Sequence, residues 1–95
     1  MNKSELINAL SEETTFSKKD IARVLDSFTR ITERTLKRGE KVSITGFGTW
    51  WLSHRPARKG INPATKERID LVAINVPRFK AGKNLREIVR SIKLG

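Results

Sequence analysis

The chain of 95 residues has no cysteine and a single histidine. Without cysteine there is no disulfide framework, no thiolate metal site and no cysteine nucleophile, so stability must come from packing, including packing across a subunit interface. His54 stands beside Arg55, and the acids are scattered mainly along helix surfaces. That inventory holds no recognisable nucleophile, metal cluster or phosphate-cradling glycine loop, which argues against an enzyme and calls for no cofactor or metal. His54 reads as a solvated or phosphate-contacting side chain. The opening MNKSELINAL lacks a long apolar core, and no stretch reaches the roughly 18 to 20 apolar residues of a membrane span. The expected location is the cytoplasm, with no membrane partner.

Acidic residues are scarce in one half only. Residues 1–40 carry 8 Lys/Arg against 7 Asp/Glu, whereas residues 41–95 carry 12 against 3, within a net charge of +10. Such one-sided charge is the footprint of a polyanion binder, because each phosphate neutralised releases condensed counterions. A hydrophobic content of 37% in 10.8 kDa fits one compact domain over residues 1–95 and excludes a fully disordered chain. No internal repeat or low-complexity tract stands out.

Hydrophobic periodicity divides that domain. Asn2 is placed to cap a helix from about Lys3 to Glu13, with Leu6, Ile7 and Leu10 on one face. Ser17 caps a second helix in which Ile21, Val24, Leu25, Phe28, Ile31 and Leu36 hold helical spacing until Gly39. Its apolar face is longer than the first helix can cover, so a homodimer is expected, with residues 1–40 as the helical dimerisation region. From Lys41 the period becomes two: Val42 and Ile44, then a turn at Gly46-Phe47-Gly48, then Trp50 and Leu52. The two glycines are expected to allow unusual backbone angles, with Phe47 pointing into the core. Trp51, of opposite parity to Trp50, is assigned to the outer sheet face, where it either contacts a ligand or packs under long side chains. Residues 41–54 and 75–82 form the sheet body, with Ile74, Val76 and Phe79 rejoining it and Pro77 marking an edge strand. Residues 83–95 are expected as a C-terminal helix with an apolar stripe of Leu85, Ile88, Val89 and Ile92.

Residues 55–74, RPARKGINPATKERIDLVAI, are expected to form a long β-ribbon arm with legs of about nine residues, each roughly 30 Å, mobile until bound. Arg55, Arg58, Lys59, Lys66 and Arg68 face only Glu67 and Asp70 in charge, while the apex GINPATK carries Ile61 and Pro63. A cationic ribbon fits a DNA groove, and an apolar apex fits between base pairs, where wedges unstack the duplex and kink it. Pro63 is rigid and has no N–H to leave unsatisfied, and Asn62 can hydrogen-bond the minor-groove floor. The same Asn-Pro pair equally starts an ordinary hairpin turn.

GFGTW, RPARKGINPATKE and VPRFKAGKNL, in this order after two amphipathic helices, closely resemble the bacterial histone-like HU and integration host factor family of DNA-bending proteins. The resemblance spans essentially the whole chain. It implies an α+β intertwined dimer, with a base of two N-terminal helices, a three-stranded antiparallel sheet, a β-ribbon arm and a C-terminal helix. It implies minor-groove binding of double-stranded DNA, with Pro63 as the wedge. Arg55, Arg58, Lys59, Asn62 and Arg68 would contact DNA from the arm; Lys3, Arg78, Lys80, Lys83 and Arg86 would contact it from the body. Gly46, Phe47 and Gly48 would lie near the sugar-phosphate backbone. Ile61 stands where the family apex usually has arginine, which either removes a minor-groove cation or widens the wedge. Lys66 replaces the usual tip glycine, changing the turn and adding a phosphate contact. The HU-like arm favours the non-specific homodimeric branch, a nucleoid protein that compacts DNA, over the sequence-specific heterodimer; a mixed dimer with a paralogue stays open. RNA binding is the remaining rival, against which a wide, shallow A-form minor groove counts.

Overall fold

Asn2 opens the first helix as its sequence position requires: its side-chain oxygen accepts the Glu5 N–H at 2.9 Å. The computed structural model describes residues 1–93. Helix α1 covers Lys3–Thr14 and ends one residue later than expected, where the Thr14 hydroxyl donates to the Leu10 carbonyl and Thr15 turns left-handed at φ 64°. Helix α2, Lys18–Lys37, begins with Ser17 Oγ accepting the Asp20 N–H at 3.1 Å. It ends in a Schellman arrangement, with Glu40 N–H on the Thr35 carbonyl and Gly39 N–H on the Leu36 carbonyl.

The chain falls into two compact units, Met1–Arg34 and the part from Thr35 onward, so the division lies inside α2 and before residue 40. In the first unit little of the apolar stripe of α2 is buried. Ile21 is 7% exposed, but Val24 is 64% and Ile31 48% exposed along the same stripe. Ile21 is the only buried hydrophobic among the described residues. Lys3 Nζ and Asp26 Oδ1 join α1 to α2 at 2.5 Å, and this pair holds the Asp26 carboxyl below its ordinary value of 3.8.

In the second unit the period-two segments become strands β1 Val42–Ile44, β2 Gly48–Arg55, β3 Arg58–Ile61, β4 Arg68–Leu71 and β5 Ile74–Ala81, followed by helix α3, Lys83–Arg90. The antiparallel sheet has the order β1-β2-β5, and β3 with β4 forms a separate ribbon. Pro77 sits on β5, an edge strand, as its missing N–H demands. The body strand β2 runs to Arg55, one residue past the expected limit of 54, and β5 begins at Ile74 rather than 75.

Arg55 faces Ile74 and Arg58 faces Leu71, so the register passes from the sheet into the ribbon without a bulge. Residues 56–57 and 72–73 lie outside the ladders, and Pro56 can donate no ladder bond. The arm is therefore two legs of four paired residues, about 13 Å each, beyond an unpaired joint. It is shorter than the continuous nine-residue legs expected.

The glycine turn also differs from expectation. The turn residues are Thr45, Gly46 and Phe47, and Gly48 already belongs to β2. Of the two glycines only Gly46 has positive φ, at 82°; Gly48 is needed for space, since a Cβ there would lie 2.8 Å from the Lys80 carbonyl oxygen. Phe47 is 47% exposed rather than buried, yet its ring centroid lies 5.9 and 6.2 Å from those of Phe79 and Trp50. Trp50 and Phe79, cross-strand partners, meet as tilted rings with centroids 4.7 Å apart. Ile74, Val76 and Phe79 all rejoin the sheet in β5 as expected, with Ile74 and Val76 on the opposite face from Phe79.

The turn also anchors α3. Gly82 N–H donates to the Phe47 carbonyl at 2.7 Å and Leu85 N–H to the Gly46 carbonyl at 3.2 Å, so a first-turn amide of a helix without a side-chain cap finds a partner in the turn. The helix stops at Arg90, short of the expected span; Ile92 follows it, and residues 94 and 95 lie outside the described residues. Ile88 remains 66% exposed.

Two stability predictions follow from these contacts. In Gly46→Ala the new Cβ would sit in a left-handed backbone and 2.7 Å from Asn84 Nδ2. The expected loss is about 1–3 kcal/mol, read as a fall of roughly 5–15 °C in the thermal midpoint. Asp26, with its folded pKa depressed by Lys3, contributes stability above pH 3.8 that disappears as pH falls through the folded value. Asp26→Asn should therefore lower the denaturant midpoint at pH 7 and match the wild type in strong acid; an equal difference at both pH values would contradict the pairing.

Candidate nucleic-acid interface

Strand alternation sorts the sheet into two chemically different faces. Directly opposed residues of an antiparallel pair share a face, and the register opposes Thr49 to Lys80, Trp51 to Arg78, Ser53 to Val76 and Arg55 to Ile74. One face therefore carries Arg55, Arg78 and Lys80 together. The other carries Trp50, Leu52, Pro77 and Phe79. On the basic face the Ser43 and Thr49 hydroxyls are hydrogen-bonded across β1 and β2 at 2.5 Å. His54 belongs to the opposite face, where Nδ1 lies 2.6 Å from Oδ1 of its cross-strand neighbour Asn75.

The ribbon repeats the sorting on a smaller scale. Lys59 and Ile61 share a face with Asp70 and Arg68, while Arg58 and Gly60 share the other with Leu71 and Ile69. Leu71 lies over Gly60, whose absent Cβ would be 3.1 Å from Leu71 Cδ1. Arg58 shares the face of this small apolar patch, while Lys59, Arg68 and Asp70 lie on the other.

The apex is built by backbone hydrogen bonds. Asn62 N–H donates to the Glu67 carbonyl at 2.8 Å, and Lys66 N–H to the Asn62 carbonyl at 2.6 Å. Asn62 Oδ1 accepts the Ala64 N–H at 2.9 Å. Asn62-Pro63 thus starts the turn, as one sequence reading had it, and Pro63 is exposed at its tip. The Asn62 oxygen is engaged within the turn, which leaves the amide nitrogen as the outward polar end. Ile61 is 65% exposed just below. Lys66 adopts φ 60°, the left-handed conformation that glycine takes most cheaply, so the turn is kept at some backbone strain.

Of the remaining candidates, Lys83 and Arg86 lie in the first turns of α3, where Lys83 Nζ is 4.0 Å from Glu87 Oε1. Gly46, Phe47 and Gly48 form the anchored turn beside that helix end. Lys3 belongs to the other unit and is already paired with Asp26. The structure brings Arg55, Arg78 and Lys80 onto one sheet face and places Arg58, Lys59 and Arg68 in the ribbon ladder beyond them.

Sequence reasoning left three residues out of the candidate set. Lys41, Thr49 and Trp51 line an open groove of about 740 Å³ with Gly39, Glu40, Leu52 and Lys80. Parity had put Trp51 on the outer face, and that signal was sufficient to find it. Among the described residues no group of three or more His, Asp and Glu is placed to hold a metal ion, and no helix is long and apolar enough to cross a membrane.

A family model described as bacterial DNA-binding protein matches residues 1–90. The chain is 43% identical over 90 residues to DNA-binding protein HU of Staphylococcus aureus strain COL, covering 95% of this chain and all of that protein. It is 47% identical over 91 residues to DNA-binding protein HU of Geobacillus stearothermophilus, with the same coverage. Among solved structures, an Anabaena HU–DNA cocrystal structure superposes with a TM-score of 0.81 at 38% identity, covering 97% of this chain and all of the other. With nearly its whole length matched, the chain belongs to the bacterial DNA-binding protein family.

Proposed function

We propose that the chain is an architectural protein of the nucleoid that binds double-stranded DNA with little sequence preference and bends it. The carrying observation is the continuous register that joins the basic sheet face, with Arg55, Arg78 and Lys80, to a cationic ribbon ending in exposed Ile61 and Pro63. The sheet face supplies phosphate contacts, which position the duplex without reading sequence. The ribbon tip enters the minor groove, where Pro63 wedges between base pairs. Unstacking costs a few kcal/mol and kinks the duplex by roughly 20–90°. Asn62 donates to groove-floor acceptors through its amide nitrogen. Site choice then follows deformability, because flexible or distorted DNA leaves less bending work. No catalytic step is assigned to these residues.

The active form is a homodimer. The chain exposes 8388 Å², whereas a folded monomer of 10.8 kDa exposes about 5,500 Å². A ribbon explains part of the excess. Val24, Phe28 and Ile31 on α2, and Ile44 and Phe79 in the second unit, are apolar side chains that a second copy would cover. Two ribbons per particle then flank one duplex.

Light scattering should give twice 10.8 kDa for the free protein; a monodisperse monomer at micromolar concentration would contradict the dimer. If a dimer neutralises on the order of 8 phosphates, log K should fall against log salt with a slope near about −7. Pro63→Ala removes the wedge and no charge, so bending measured by fluorescence transfer between duplex ends should drop while the salt slope is kept. An unchanged bend would leave Pro63 as a turn residue only.

A further inference from the structure

Trp51 sits on β2, the central strand of the β1-β2-β5 sheet, and is 38% exposed. By register its face is the basic one: Arg78 is directly opposite, and Lys80 is opposite Thr49 two residues away. Lys41, just before β1, and Lys80 of β5 both line the groove that Trp51 also lines, so the ring and two cations share one opening. Glu40 is the one acid in that lining. A part-exposed tryptophan beside cations is the pairing by which single-stranded nucleic acid is held: the cations track the phosphates, and the ring stacks on a base, whose π-face is available whatever its identity. In an intact duplex the base faces are covered by their neighbours. The indole finds a partner only where a nucleotide is unpaired or unstacked.

We propose that Trp51 is a stacking site for an unpaired nucleobase, which gives the sheet face affinity for gapped or single-stranded DNA beyond its affinity for phosphate. This rests on the nucleic-acid reading above and adds to it a residue and the contact that it makes. The contact is non-ionic, so it raises affinity without adding to counterion release. It is separate from the wedge: the ribbon tip inserts into a stack, whereas Trp51 receives a base already outside one.

The test compares one duplex, intact and with a short single-stranded gap, in titrations of the full-length wild type, Trp51→Ala and Trp51→Phe. Trp51→Ala should weaken binding to the gapped duplex about tenfold and to the intact duplex by less than about twofold, with the salt slope unchanged on both. Trp51→Phe, which keeps a ring, should retain most of the gapped-duplex affinity. In Trp50→Phe, where Trp51 is the one remaining tryptophan of the two, fluorescence should be quenched by the gapped duplex and much less by the intact one. Equal losses on both duplexes would make Trp51 a support beneath the Arg78 and Lys80 side chains and overturn the proposal, as would no loss on the gapped duplex. A wild type that binds neither duplex would overturn the function above, and this inference with it.

Discussion

The antiparallel pairing of β2 with β5 is the constraint on which the second unit depends. Eight consecutive residue pairs, from Gly48 with Ala81 to Arg55 with Ile74, fix which side chains share a face. A slip of one residue would bring Arg78 and Lys80 onto the face of Trp50, send Phe79 to the other face, and mix the aromatic cluster with the charge. The clustered Phe47, Trp50 and Phe79 rings resist that slip, because the large rings meet only in this register. The cations therefore need no ion pairs of their own to be arrayed; the sheet arrays them.

The same pairing sets the ribbon. Since the register continues across the unpaired joint, each leg enters the arm with its parity preserved, and Lys59 and Ile61 follow Arg55 in alternation. The joint is short and contains Pro56, which cannot take part as a donor in a ladder, so the arm is tied to the sheet by chain connectivity and alignment rather than by hydrogen bonds there. At the other end of β2, the Phe47 carbonyl accepts the Gly82 amide and the Gly46 carbonyl the Leu85 amide. One hairpin thus orients both the arm and α3, and with them the cations Lys83 and Arg86.

The exposed hydrophobic side chains acquire meaning against the same frame. A solitary chain with one buried hydrophobic among its described residues has too little core for a stable fold, since burial of apolar area is the main opposing force to chain entropy. The second copy inferred above supplies what the single chain lacks. In the function proposed above, dimerisation and DNA binding use different surfaces: apolar helix and sheet faces for the first, the basic sheet face and ribbon for the second.

Much of this was legible in the chain itself. The helical spacing from Ile21 to Leu36, the caps at Asn2, Ser17 and Gly39, the switch to period two at Lys41 and the basic GINPATK arm are local signals, and local propensity decided them. Parity alone separated Trp51 from Trp50. What tertiary structure decided was long-range. That Gly48 is needed for space rather than for its backbone angle depends on Lys80, far along the chain. That the arm is broken at residues 56–57 and 72–73 and that Lys3 is held by Asp26 depend on partners that no local window contains. Sequence determines periodicity and charge because neighbours along the chain carry them; only folding decides which distant backbone fills a glycine's empty space and which cations come to share one face.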